Sequence, residues 1–475
     1  MATTGHKPVD FSAFHNVING ELKGTRTTRH GINPATEEPN PEVPVSTVKD
    51  VEAAIHCART AFPSWAAVLW EERAAAIRRY ADALESELEG FARLLTQEQG
   101  KPLQFARLEI KDALRWLREI SNLTLLEETV REDDSSRVIV RYTPLGVTVA
   151  IVPWNYPVML ACGKIGPSLI TGNPVIIKPS PFTPYCSLKL AELAQQFFPA
   201  GVVQALSGDD NLGPWLTAHP GVDKISFTGS TPTGKRVMQS ASQNLTRVTL
   251  ELGGNDAAIV CADADIGSAA QAIASYAFLN SGQTCVAVKR IYVHESIYEK
   301  FRKEMFAFVR TLKLSADMDA FMGPVQNKMQ YNLVKDLLSN ARSQGYTSLA
   351  STDVPKTGYF ITPTIIDNPP ETSRIVQEEP FGPVVPLLSW STEDEVLRRV
   401  NNTDMGLGAS VWSSDLAKAE ALARQIEAGS VWVNNHVRID PLVPFGGHKA
   451  SGIGCEWGLD GLKSFCNVQA LYVKK

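Results

Sequence analysis

No stretch of this chain reaches the roughly 18 consecutive apolar residues that a membrane-spanning helix needs, so no helical membrane span is expected. The N-terminal segment Met1–Asp10 has no apolar core and no arginine-rich amphipathic pattern, so no secretory or organellar signal is expected. The final residues, Tyr472–Lys475, match no common retention, peroxisomal or lipidation signal. Cysteine is sparse: seven in 475 residues, at positions 57, 162, 186, 261, 285, 455 and 466. Their number is odd, their spacing wide, and no CxxC occurs. That excludes a disulfide framework and a zinc site and points to a reducing compartment, by default the cytoplasm. Histidine is equally dispersed and no HExxH occurs, so His436 and His448 read as surface or supporting residues and no metal is expected. Excess positive charge is also missing. The formal net charge is -5, which leaves no electrostatic footprint for nucleic acid or an anionic membrane. There is no internal repeat and no low-complexity segment.

What is present is an ordinary globular composition, 44% hydrophobic and 20% charged, in a chain long enough for about two to four domains. Residues 1–50 read as loops and short strands. From Val51 to about Leu125 the periodicity is helical, with Val51, Ala54, Ile55 and Ala58 on one face and Ala74, Ile77, Tyr80, Leu84 and Leu88 on a second. Gly100 and Pro102 end that second helix. After a strand at 138–142, short apolar runs alternate with helical stretches. The strands are expected at 147–152, 174–178, 202–206, 224–227 and 248–250, and helices at 158–170, 187–198 and 232–242. This is the β-α-β-α pattern of a parallel, doubly wound sheet, which binds ligands at the carboxyl ends of its strands. A second alternation over about 255–440 predicts another α/β domain, with strands at 257–261, 291–294, 384–388 and 430–434. The tail at 468–473 reads as a lone strand seeking a partner elsewhere, even on another subunit.

Several segments carry chemistry. Cys285 closes Ser281-Gly282-Gln283-Thr284-Cys285, and Glu251 opens Glu251-Leu252-Gly253-Gly254-Asn255. A loop thiol is a candidate nucleophile and an acid beside paired glycines a candidate base, although most loop cysteines are bystanders. Gly229–Lys235 mimics a phosphate-binding P-loop but continues with Arg236 where Ser or Thr is needed for magnesium. It also reads as a plain strand-to-helix turn whose helix start could seat a pyrophosphate. Asn155, bracketed by Pro153 and Pro157, could aim an amide at an oxyanion or simply satisfy a turn. Lys178 ends a strand where a ligand crevice is expected. Glu378–Pro383 sets acids and Phe381 on a stiff loop, and Pro444–Gly452 is dense in glycine.

Taken together, PWNYP, KPS, FTGS, ELGGN, SGQTC, EEPFGPV and PFGG-K-SG occur in this order from about Asn19 onward. The chain resembles the aldehyde dehydrogenase superfamily of the NAD(P)-dependent, non-phosphorylating kind. The resemblance implies an α/β fold with a Rossmann-like doubly wound cofactor domain (1–120 and 145–252), an α/β catalytic domain (253–445) and a small β oligomerisation element (121–144 and 463–475). It implies oxidation of a small-molecule aldehyde to a carboxylic acid, in a homodimer or dimer of dimers. Cys285 would be the nucleophile, Asn155 and the Cys285 N–H the oxyanion hole, and Glu251 the group activating water. Lys164 and Glu456 would serve proton traffic. Lys178 and Glu379 would grip ribose, Phe381 would pack near the nicotinamide, and Trp154 and Ser230 would approach the pyrophosphate. Val152, Ser180, Pro181, Phe227, Gly229 and Leu252 would complete the cofactor site. Tyr156, Leu160, Gly163, Thr284, Val286, Val437, Ile439 and Phe445 would line the substrate channel.

Two departures bear on specificity. Pro181 stands where many NAD-preferring relatives carry a glutamate for the adenosine 2′-hydroxyl, which opens the site to NADP as well as NAD. Gly163 stands where many carry a large aromatic, which predicts a wider channel for bulky aliphatic or aromatic aldehydes, while nearby Arg438 would suit a carboxylated semialdehyde. Cys455 replaces an arginine often found before the Glu456 position. A CoA-acylating enzyme and a catalytically silent homologue are the alternatives, and Glu251 argues against the first.

Overall fold

Local signals set many helix boundaries. Thr47 and Asp50 form a reciprocal capping box that starts the helix Val48–Ala66. Asp265, Asn327, Thr392 and Asp415 cap the helices Ile266–Phe278, Lys328–Ser343, Glu393–Asn401 and Leu416–Ala423 with side-chain oxygens. Gly100, at φ 90°, ends the helix Leu88–Gln99 in the left-handed conformation that glycine adopts without strain. The expected second helix is in fact two, Trp70–Ser86 and Leu88–Gln99, divided at Glu87, whose backbone leaves the helical region. A further helix, Leu103–Asn122, packs on the helix Pro157–Ile170.

In this computed structural model, residues 5–315, 317, 319–350 and 354–475 are described. The first four residues of the segment Met1–Asp10 therefore lie outside the described residues. Among the described residues no helix is long and apolar enough to cross a membrane.

The larger sheet has eight strands, ordered Glu21–Lys23, Asn16–Ile18, Val203–Ala205, Val175–Lys178, Thr148–Ile151, Lys224–Thr228, Arg247–Glu251 and Gly452–Ile453. The five from Val203–Ala205 to Arg247–Glu251 run parallel. The chain enters at Thr148–Ile151, steps outward twice to one side, then crosses to Lys224–Thr228 on the other. That reversal creates a crevice at the carboxyl ends of the strands. The second sheet has seven strands and is parallel apart from the edge strand Ser348–Ala350. Two of its strands, Thr364–Asp367 and Gly408–Trp412, are not evident in the sequence pattern. Gly408 opens one with a strand-weakening residue, and both are short and without alternation because both faces are buried.

The tail strand, Cys466–Lys474, finds its expected distant partner within the chain. It pairs along its whole length with Ser136–Pro144 of the same chain, and Glu128–Glu132 completes a three-stranded sheet. Local pattern cannot show a pairing across more than 320 residues, whereas the resemblance already places 121–144 and 463–475 in one β element. The sheet keeps Leu126, Val130, Val468 and Tyr472 exposed beside or on its strands.

Candidate active site

Four parallel strands deliver one wall of a crevice of about 840 Å³. Thr148–Ile151 is followed by Val152 and Trp154, and Val175–Lys178 ends at Lys178 and leads to Ser180 and Pro181. Lys224–Thr228 presents Phe227 and leads to Gly229 and Ser230, and Arg247–Glu251 leads to Leu252. Glu379 and Phe381 close the crevice from the second sheet's side. Every residue expected at the cofactor site thus lines one cavity. The P-loop lookalike is a strand-to-helix turn in which Ser230 precedes the helix Thr231–Ala241 and Pro232 sits in its first turn. Lys178 is half-buried, and desolvation lowers its ammonium to about 8, with Asp210 pulling it back up. Its Nζ donates to the Pro179 carbonyl at 3.2 Å. Glu379 Oε1 accepts from the Gly254 N–H at 3.2 Å, and a side chain at Gly253 would strike the Glu379 carboxylate. Arg236 and Asp209 also line the crevice. The donors, acceptors and small residues present fit a dinucleotide.

The nucleophile loop is locked before it reaches Cys285. Asn280, Ser281 and Gly282 are successively left-handed, with φ of 51°, 58° and 72°. Glycine is required at 282, because a Cβ there would sit 2.2 Å from the Gly382 carbonyl. Gln283 holds the turn by donating to the Asn280 carbonyl at 2.8 Å and accepting from the Gln326 N–H at 2.7 Å. Asn155 donates its amide to the Gln283 carbonyl at 3.0 Å, which ties the candidate oxyanion donor to this loop. Burial pushes the Cys285 thiol up to about 12, and Lys289 is the strongest influence in the other direction. The resting group is therefore a thiol.

Glu251 is 3% exposed, and neither carboxylate oxygen has a hydrogen-bond partner among the described residues. Burial, then the charge of Glu456, raises its carboxyl well above the usual range, while Lys164 acts the other way. Lys164 and Glu456 form a fully buried ion pair, joined by Ser226, whose hydroxyl donates to the same Glu456 oxygen. Lys164 Nζ also donates to Ser226 Oγ at 3.0 Å.

A second cavity, about 390 Å³, is lined mainly by apolar side chains. Tyr156, Leu160, Thr284, Val286, Val437, Ile439 and Phe445 line it as expected, and Arg438 contributes to its wall. Gly163 does not. A Cβ at Gly163 would lie 2.8 Å from Nε1 of Trp457, which donates to the Gly163 carbonyl at 3.2 Å. Trp457 stacks on Phe445 and meets Trp116 edge-on, both at 5.2 Å. The room that a glycine leaves is thus filled by an aromatic from the C-terminal segment, and the channel is not widened there. Trp457 is held at φ 62°, a region that side chains rarely adopt, so its packing over-determines a strained backbone.

Other participants escaped the motif reading. Lys101 and Glu109 are a buried ion pair in the cavity wall. Lys101 also donates to the Asn155 carbonyl at 3.0 Å and lies 3.9 Å above the Tyr156 ring, while Glu109 accepts from the Val158 N–H at 2.9 Å. The one local hint was a lysine between Gly100 and Pro102. His436, in the wall of the same cavity, is fully buried, and desolvation lowers it to about 3, so it is neutral. Its Nε2 faces the Val286 carbonyl at 3.0 Å, and His448 is exposed. No cluster suited to a metal occurs among the described residues.

Comparison with known proteins agrees with this architecture. The model of the aldehyde dehydrogenase family matches residues 22–471. Aldehyde dehydrogenase LUC3 of Fusarium sp is 42% identical over 470 residues, covering 98% of this chain and 100% of that protein. Phenylacetaldehyde dehydrogenase of Pseudomonas fluorescens is 36% identical, with coverage of 94% and 92%. The NAD+ complex of an aldehyde dehydrogenase from Bacillus cereus superimposes with a TM-score of 0.94 at 33% identity, covering 97% and 96% of the two chains. The chain belongs to the aldehyde dehydrogenase family and is an NAD(P)-dependent oxidoreductase.

Proposed function

We propose that the protein oxidises a hydrophobic aldehyde to its carboxylic acid through a covalent intermediate on Cys285. The observation that carries this reading is that Cys285 and Asn155 line both cavities, so the thiol stands where an aldehyde from one side meets a cofactor from the other. The Cys285 thiolate adds to the carbonyl, and the side-chain amide of Asn155 with the Cys285 N–H takes the developing oxyanion. Bound NAD(P)+ supplies the hydride acceptor. The acyl group remains on Cys285 as a thioester. Glu251, deprotonated, then takes a proton from water that attacks the thioester, and the acid departs. Lys164 and Glu456 hold and pass on that proton. Lys178 and Glu379 hold ribose, Trp154 and Ser230 flank the pyrophosphate, and Phe381 limits the nicotinamide end.

The apolar cavity, with Trp116, Tyr156, Phe445 and Trp457 in its wall, favours bulky aliphatic or aromatic aldehydes. Pro181 neither repels nor binds a 2′-phosphate, so both NAD and NADP are accommodated, with NAD slightly preferred. We assign 1–120 and 145–252 to cofactor binding, 253–445 to catalysis, and 121–144 with 463–475 to oligomerisation. The exposed apolar residues of the three-stranded sheet support a dimer or dimer of dimers, and seven free cysteines suit the cytoplasm. The test is formation of reduced nicotinamide by purified protein with NAD+ and NADP+ across aliphatic, aromatic and semialdehyde substrates. Turnover of hydrophobic aldehydes without added CoA is expected. Turnover confined to very short aldehydes, or dependent on CoA, would overturn the reading.

A further inference from the structure

Lys289 lies between the nucleophile loop and the buried strand Arg290–His294 and is 2% exposed. Its ammonium donates to the backbone carbonyl of Cys285. The same ammonium pairs with Glu379 Oε1 at 3.2 Å. Glu379 lines the cofactor crevice, whereas Lys289 lines neither cavity. One cation, shielded from solvent, therefore touches both the residue that carries the nucleophile and the carboxylate that faces the crevice. Shielding makes its field strong, because little water screens it.

The other groups around the thiol oppose its ionisation. Glu251 faces it from the end of the strand Arg247–Glu251, Asp256 from the segment that follows, and Glu379 from the crevice loop. Tyr156, before the helix Pro157–Ile170, also senses Cys285, and buried His436 in the wall of the same cavity is neutral. Lys289 supplies the opposing positive charge. While Glu379 is paired with Lys289, its negative charge offsets part of the Lys289 charge as seen from Cys285.

We propose that Lys289 couples occupancy of the cofactor crevice to ionisation of Cys285. When ribose hydroxyls bond Glu379 and draw its carboxylate away from Lys289, the ion pair opens and the Lys289 charge acts on the thiolate instead. The thiol proton leaves to solvent, and no group is oxidised or reduced. Lys289 is a positioning residue that acts through Cys285. By linkage, the thiolate form binds the cofactor more tightly by the same factor. The inference rests on the proposed roles of Cys285 as nucleophile and Glu379 as ribose holder.

The test measures iodoacetamide alkylation of Cys285 against pH, with and without NAD+, following the Cys285 peptide by mass spectrometry. The proteins are wild type, Lys289→Met, Lys289→Arg and Glu379→Gln. In wild type, NAD+ is expected to lower the apparent thiol pKa by about 1 unit or more, raising the rate near neutral pH about tenfold. Lys289→Met loses that response and Lys289→Arg retains it. Glu379→Gln, which removes the offsetting charge and leaves the Lys289 ammonium unpaired from that side, ionises more readily before NAD+ is added and gains little more at saturating NAD+. A wild-type NAD+ response preserved in Lys289→Met overturns the proposal, as does an unchanged thiol in Glu379→Gln. Steady turnover by Cys285→Ser would instead bring down the nucleophile reading, and this coupling with it.

Discussion

Replacing Glu251 with glutamine separates what its carboxyl does for catalysis from what it costs the fold. Glutamine has nearly the same shape and cannot ionise. In the wild type, burial and the charge of Glu456 hold the folded carboxyl well above its ordinary value of 4.5. The unfolded chain therefore releases this proton near pH 4.5 while the fold keeps it. A raised carboxylate favours the fold fully below the unfolded value and withdraws that support as pH rises toward the folded one. The loss is about 1.4 kcal/mol for each pH unit between the unfolded and the folded value. Glu251→Gln is exempt. Its amide adds a constant term, so the stability gap between variant and wild type should widen in favour of the variant as pH rises above 4.5, until Glu251 itself ionises. Urea unfolding followed by circular dichroism, at several pH values from about 5.5 to about 7.5, measures that gap. A gap that does not change with pH would refute the argument, because it would mean that the carboxyl already ionises normally in the fold. The same variant should release a burst of reduced cofactor and then turn over about 10²–10⁴-fold more slowly, the usual worth of a general base. Steady-state turnover at the wild-type rate would remove Glu251 from the role of base.

Four further outcomes are expected. Cys285→Ala should abolish aldehyde oxidation while calorimetry still detects NAD+ binding; residual turnover near wild type would contradict covalent catalysis. Gly163→Ala should destabilise the protein by about 1–3 kcal/mol, since the new methyl meets Trp457 at 2.8 Å, and an unchanged urea midpoint would show that Trp457 moves freely. Lys101→Met should cost about 3–5 kcal/mol by stranding the buried Glu109 charge, and adding Glu109→Gln should recover much of it. Pro181→Glu should raise the NAD+ to NADP+ ratio of kcat/KM by placing a carboxylate where a 2′-phosphate would lie; an unaltered ratio would put the adenosine ribose elsewhere.

Much of this site was legible because it is written locally. Each parallel strand is a short apolar run that ends in a motif, so Val152, Lys178, Phe227 and Leu252 could be assigned to strand ends, and strand ends share a crevice by topology. Cys285 and Glu251 stood out because their segments fall in order with the other motifs, whereas either alone would be a weak signal. Lys101, Glu109 and Lys289 did not stand out. Each resembles an ordinary charged residue until burial removes its water and obliges it to find a partner. Gly163 shows the limit most clearly. An absent side chain says that space exists, but whether that space stays open depends on what arrives from elsewhere, here Trp457, 294 residues further on. The tail strand is similar: its pattern says that it needs a distant partner, and only the fold shows that the partner is Ser136–Pro144 of its own chain. Periodicity, caps and motif order depend on neighbours a few residues apart, and these the sequence by itself determined. Which charges are sealed from water, and which side chain fills a gap, depend on packing between distant segments, and only the tertiary structure decided them.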